Sequence, residues 1–165
     1  MNTILIGIDP GKKTGVAVRK GLNSNNFLDI KTMPIHFAMN LVQRYRCNAV
    51  SLTPPSDKNK LNILVIVEDA RQRRWFGNAG KEKLMGAGSI KRDCTIWEDF
   101  LKDMDIPHKM VKPSKGKTKI SSNYFNLITG WQGRTSEHAR DAAMLIHGIN
   151  AQNIKAYTNE IKQPT

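Results

Sequence analysis

The chain has 165 residues, 39% hydrophobic and 24% charged, a composition that fits one soluble, well-cored domain. No apolar stretch approaches the roughly 20 residues needed to cross a bilayer, and two cysteines without CxxC spacing argue against both a disulfide framework and a thiolate zinc site, so reduced thiols in a cytoplasmic protein are expected. Twenty-six Lys and Arg against fourteen Asp and Glu give a net charge of +12, the electrostatic footprint of a nucleic-acid binder.

Thr3 to Asp9 is rich in Ile and Leu and reads as a core strand; it has no leading cationic region and does not read as a signal peptide. Pro10-Gly11-Lys12-Lys13 is a turn by composition, and Thr14 to Arg19 is the second strand of a hairpin. After the polar turn Asn23-Ser24-Asn25-Asn26, Phe27 to Thr32 forms a third strand. Pro34 to Tyr45 is helical by the spacing of Phe37, Leu41 and Tyr45, with Pro34 suited to a first turn. Ser51 to Asn62, with Pro54-Pro55-Ser56-Asp57, is a loop. Ile63 to Val67 is a continuous apolar run, as expected of a strand buried on both faces.

Arg71 to Gly88 is basic and punctuated by glycine, which predicts a surface loop with partial helix. Ser89 to Met104 is an amphipathic helix on the spacing of Ile90, Cys94, Trp97, Leu101 and Met104. His108 to Val111 is a short strand, followed by a lysine-rich loop. Ile120 to Ile128 is a helix with Tyr124, Leu127 and Ile128 turned inward, and Ser136 to Asn150 is a last helix buried along Ala142, Leu145, Ile146 and Ile149. The domain spans residues 1–150, and 151–165 is expected to be a polar, frayed tail. Hairpin first, helix-separated strands later: the order predicts an α/β fold, a mixed five-stranded sheet flanked by helices on both faces.

Four separated residues carry the chemistry: Asp9 and Glu68, each ending an apolar strand, and His138 and Asp141, three apart on one helical face. A carboxylate at the exit of a buried strand is costly unless compensated, and a divalent cation is the simplest compensation. Phosphodiester hydrolysis needs an activated water, charge neutralisation at phosphorus and a stabilised leaving oxygen, and two divalent ions about 4 Å apart supply all three. Oxygen ligands select Mg²⁺, with Mn²⁺ as a substitute. Asp9 is placed to bridge two ions, Glu68 and Asp141 to hold one each, and His138 to ligate, touch phosphate or move a proton. Asp69, next to Glu68, points to the opposite face by strand alternation. A P-loop is excluded, because only three residues separate Gly7 from Gly11 and Lys13 stands where Ser or Thr belongs. The cations expected at the phosphate backbone are Lys12, Lys13, Arg71, Arg73, Arg74, Lys112, Lys115, Lys117 and Lys119.

Ile6-Gly7-Ile8-Asp9-Pro10-Gly11 followed by Thr14-Gly15-Val16-Ala17 resembles the opening of RuvC, the Holliday-junction resolvase family. Val67-Glu68 is similar to its second motif, and Ser136-Glu137-His138-Ala139-Arg140-Asp141-Ala142 to its last, in the versions where histidine precedes the final aspartate by three. The resemblance spans Ile4 to Ile149. It implies an RNase H-like fold, Mg²⁺-dependent cleavage of branched DNA by two ions per site, a homodimer, and nicks with 5′-phosphate and 3′-hydroxyl ends. It also implies that His138 replaces a fourth acid and that Lys119 lies near phosphate. Where some members place an aromatic wedge, three residues after the second acid, this chain has Arg71; Trp75 and Phe76 are the nearest aromatics. The loop from Cys47 to Asn62 looks longer than the family's. Competing readings are an RNase H-like nuclease acting on structured RNA, a non-catalytic nucleic-acid-binding module, and an actin-like or sugar-kinase ATPase, for whose second lobe the chain is too short.

Overall fold

The computed structural model describes residues 3–22, 25–51, 62–72, 81–113 and 120–161. Five strands, β1 (Ile4–Asp9), β2 (Lys13–Lys20), β3 (Phe27–Pro34), β4 (Ile63–Glu68) and β5 (His108–Val111), form one sheet in the order β3-β2-β1-β4-β5. β1 pairs antiparallel with β2, and β2 with β3; β1 pairs parallel with β4, and β4 with β5. The C-terminal ends of β1, β3, β4 and β5 therefore lie at one end of the sheet. The mixed α/β sheet expected from the sequence is the one found.

Alternation along the central strands sorts their side chains onto two faces. Ile6, Ile8, Val65 and Val67 pack with α1 (Ile35–Ser51) and α2 (Lys81–Asp103) on one face, where Trp97 and Leu101 are fully buried. Leu5, Leu64 and Ile66 pack on the other face with Phe125 of α3 (Ser122–Thr129), with Ala139, Ala142, Ala143 and Ile146 of α4 (Glu137–His147), and with Ile154 of α5 (Ala151–Ile161). No described helix is long and apolar enough to cross a membrane.

Four expectations need correction. Residues 151–161 are helix (α5), not frayed, because Asn150 Oδ1 accepts from the backbone N–H groups of Gln152 and Asn153 (3.0 Å each) while Asn153 Oδ1 accepts from Asn150 N–H at 3.1 Å; residues 162–165 lie outside the described residues. This reciprocal cap satisfies donors that otherwise face water, and the helix buries Ile154 and sets Tyr157 under the Lys109 ammonium. On α3, Tyr124 and Leu127 are 55% and 78% exposed, and Phe125 and Thr129 point inward instead. Apolar residues at 124, 125, 127 and 128 surround most of that short helix, so periodicity could not select its buried face. α2 begins at Lys81, eight residues before the expected Ser89, and runs through Gly86 and Gly88. Each exposed glycine costs a helix about 1 kcal/mol, but extending an anchored helix adds one hydrogen bond per residue. α1 continues to Ser51, so the segment after Cys47 begins as helix, not loop; residues 52–61 lie outside the described residues.

Candidate active site

Asp9, Gly15 and Thr32 form one row across β1, β2 and β3: Asp9 faces Gly15, and Gly15 faces Thr32. On the other side of β1, Ile8 pairs with Val67, so Glu68 is the next β4 position beside Asp9. Glu68 shares its face with Leu64 and Ile66, the face covered by α4. Two carboxylates thus end adjacent parallel strands under the first turns of α4.

That helix lies very close to the sheet, and two glycines make the approach possible. A Cβ on Gly15 would overlap the carbonyl of His138, and one on Gly7 would overlap the carbonyl of Ala142. The far end of α4 is tied to the same strand β2. Arg19, fully buried, donates from its guanidinium to the carbonyl oxygens of His147 (2.6 Å) and Ile149 (2.7 Å). The His147 carbonyl is at the negative end of the helix dipole, which suits a cation. Burial pushes the Arg19 guanidinium down from its ordinary pKa, which is so high that the charge persists. At its start α4 is capped by Ser136, whose hydroxyl accepts from Ala139 N–H at 3.1 Å, and Arg140 reaches back to the carbonyls of Ile120 (2.9 Å) and Thr135 (2.8 Å).

The fixed helix presents His138 to Asp9. His138 Nδ1 lies 2.7 Å from Asp9 Oδ2; the imidazole is 52% exposed and the carboxylate 13%. An ionised carboxylate only accepts, so Nδ1 carries the proton and Nε2 is left for another partner. Asp141 follows one turn later on α4, half-buried. The structure therefore joins Asp9 and His138 directly, and sets Glu68 on the neighbouring strand end and Asp141 on the adjoining helical turn. Among the described residues, no three His, Cys, Asp or Glu side chains stand close enough together to hold an ion. The donor chemistry nevertheless fits a hard divalent cation: three carboxylates and one imidazole from two strand ends and one helix.

Of the expected phosphate-binding cations, Lys12, Lys13 and Lys112 are exposed. Lys12 and Lys13 stand in the chain where the turn after the Asp9 strand leads into β2. Arg73, Arg74, Lys115, Lys117 and Lys119 lie outside the described residues, as do Trp75 and Phe76.

Arg71 belongs to a different structure, on the α2 side of the sheet. Its guanidinium donates to both oxygens of Asp69 (2.7 and 3.0 Å) and pairs with Glu98 of α2 at 2.6 Å; Glu98 also pairs with Lys102 at 2.8 Å. Two carboxylates thus pair with the Arg71 charge. Burial by itself would raise the Asp69 pKa, but hydrogen bonds from the Arg71 side chain, the Gln72 amide and the Arg71 backbone outweigh it and hold the carboxyl low. Glu98 is held low chiefly by Lys102, then by Arg71, against burial. Groups with a depressed folded pKa stabilise the fold above their unfolded value, near 4, and lose that contribution as pH falls through the folded value. Asp69→Asn is therefore expected to lower stability at pH 7 by about 2 kcal/mol. The gap from wild type should narrow steadily below about pH 4. Urea unfolding at pH 7 and pH 3.5 measures both; an unchanged gap would remove Asp69 from the acid response.

The fold is similar to that of T. thermophilus RuvC solved in complex with a Holliday junction substrate, at TM-score 0.52 and 14% identity over 97% of each chain. At this identity the likeness shows the fold, an RNase H-like α/β sheet. No family model matches the chain, and no curated protein matches it.

Proposed function

We propose that the protein is a metal-dependent endonuclease that cuts branched DNA, with four-way junctions as its substrate. The observation that carries this reading is the His138–Asp9 contact, made where α4 crosses the end of β1 beside the Glu68 strand. The RuvC-like fold and the net charge of +12 support it.

In this reading Asp9, Glu68 and Asp141 hold two Mg²⁺ or Mn²⁺ ions through carboxylate oxygens, with His138 beside them. Bound ions would supply an activated water and neutralise the charge on phosphorus and on the leaving oxygen. His138 keeps the Asp9 carboxylate in one orientation through Nδ1 and offers Nε2 to a ligand or a proton. Lys12, Lys13 and Lys112 contact the phosphates flanking the cut, giving binding that weakens with salt. Cleavage leaves 5′-phosphate and 3′-hydroxyl ends, and a homodimer supplies one site to each of two symmetric strands, as DNA recombination and repair require.

The test is a side-by-side digest of a four-way junction, linear duplex DNA and structured RNA, with fragments mapped on both strands. Paired symmetric nicks in the junction, lost in EDTA and restored by Mg²⁺, are expected. Preferential cutting of RNA would transfer the protein to RNA processing. An absence of metal-dependent turnover on all three would reduce it to a binding module.

A further inference from the structure

The first turn of α4 is held at three points, one on each of three neighbouring strands. The His138 imidazole contacts Asp9 on β1. The His138 carbonyl sits over Gly15 on β2. On β3, the Thr32 hydroxyl is hydrogen-bonded to the hydroxyl of Ser136, the cap residue of the helix. Thr32, Gly15 and Asp9 are the same row of the sheet, so the three anchors lie in line. The first two follow from the site and from the close packing of the helix. The third has no such explanation: the hydroxyl pair is in an exposed setting, and neither residue belongs to a core cluster.

We infer that Thr32 is a positioning residue, which acts through Ser136 to keep His138 on Asp9. The hydroxyl chemistry is suited to this. Ser136 Oγ accepts from Ala139 N–H and still has one donor hydrogen and one lone pair for Thr32. The cap is thereby fixed from outside the helix as well as from within it. Ser136 is two residues from His138, so sideways drift of the cap carries the imidazole with it. Drift of about 1 Å takes a 2.7 Å hydrogen bond out of range, and misplacement on that scale can cost a reacting site up to about a hundredfold.

The role of His138 in cleavage rests on the function proposed above; the Thr32–Ser136–His138 linkage does not. Thr32→Val keeps the β-branched shape and removes only the hydroxyl; Thr32→Ser restores it. In Thr32→Val, amide exchange at Ala139 should rise several-fold, with melting temperature and junction affinity unchanged. Cleavage should show kcat lower by about tenfold at constant KM, and Thr32→Ser should recover both exchange and kcat. Unchanged exchange at Ala139, or a kcat loss that Thr32→Ser does not recover, would overturn the inference. Faster exchange with unchanged kcat on a cleaved substrate would overturn it too. If no substrate is cut by wild-type protein, the proposed function fails while exchange at Ala139 still decides whether Thr32 holds the helix.

Discussion

Asp9→Asn is expected to lower junction cleavage by at least about a thousandfold, equivalent to about 4 kcal/mol of barrier, while leaving junction binding within about threefold of wild type. The substitution removes a negative charge and little else. An amide keeps the shape of the carboxylate, and its oxygen still accepts from His138 Nδ1, now 2.7 Å from Asp9 Oδ2. It is a much weaker ligand for a hard divalent cation than a carboxylate. In the proposed reading binding depends instead on exposed cations, among them Lys12 and Lys13, three and four residues after Asp9 in the chain. Single-turnover cleavage and gel-shift titration on the same junction separate the two effects. Cleavage retained in the variant would remove Asp9 from the mechanism.

Gly15→Ala should be strongly damaging to the fold and to the site as a whole. The added carbon would overlap the backbone carbonyl of His138, and neither β2 nor α4 has a flexible side chain there to move aside. β2 is bonded on both sides, to β1 and β3, so the helix must yield. Lifting α4 strips apolar contacts from Ala139, Ala142 and Ile146 and pulls His138 off Asp9. Overpacking of a close-packed interior costs about 1–3 kcal/mol, and backbone overlap puts this variant at the upper end. For a chain of this size that corresponds to a fall in melting temperature of roughly 6–12 °C. Gly86→Ala, in open space on α2, is the control and should be neutral or slightly stabilising. Thermal melts of the two variants test this; equal melting temperatures would mean that α4 does not rest on Gly15. Activity should fall in Gly15→Ala even at temperatures where it remains folded, because the His138–Asp9 contact is lost before the domain is.

Much of the candidate site was legible because its parts are local. Ile4-Leu5-Ile6-Gly7-Ile8-Asp9 and Ile63-Leu64-Val65-Ile66-Val67-Glu68 announce buried strands with acids at their ends. Three-residue spacing places His138 and Asp141 on one side of a helix. The glycines at 7 and 15 were visible too, but only as members of a motif. Their work, clearing the path of another element more than a hundred residues away, has no local signal. Arg71 shows the converse: a basic run suggests a phosphate contact, and nothing local in the sequence foretells the pairs with Asp69 and Glu98 that the fold gives it. The Asn150–Asn153 cap that starts α5 went unread, because the polarity of the terminal segment gave no sign of a buried helical face.

Sequence alone determined which segments are strands, where the acids end them, and that hairpin pairing precedes helix-linked parallel pairing. These depend on neighbours in the chain: apolar periodicity, turn residues and loop length. The tertiary structure decided which acid meets the histidine, how near α4 comes to the sheet, which face of α3 is buried and where Arg71 spends its charge. Each of these is a choice among contacts of similar local quality, settled by close packing and by the partner that folding brings within hydrogen-bond reach.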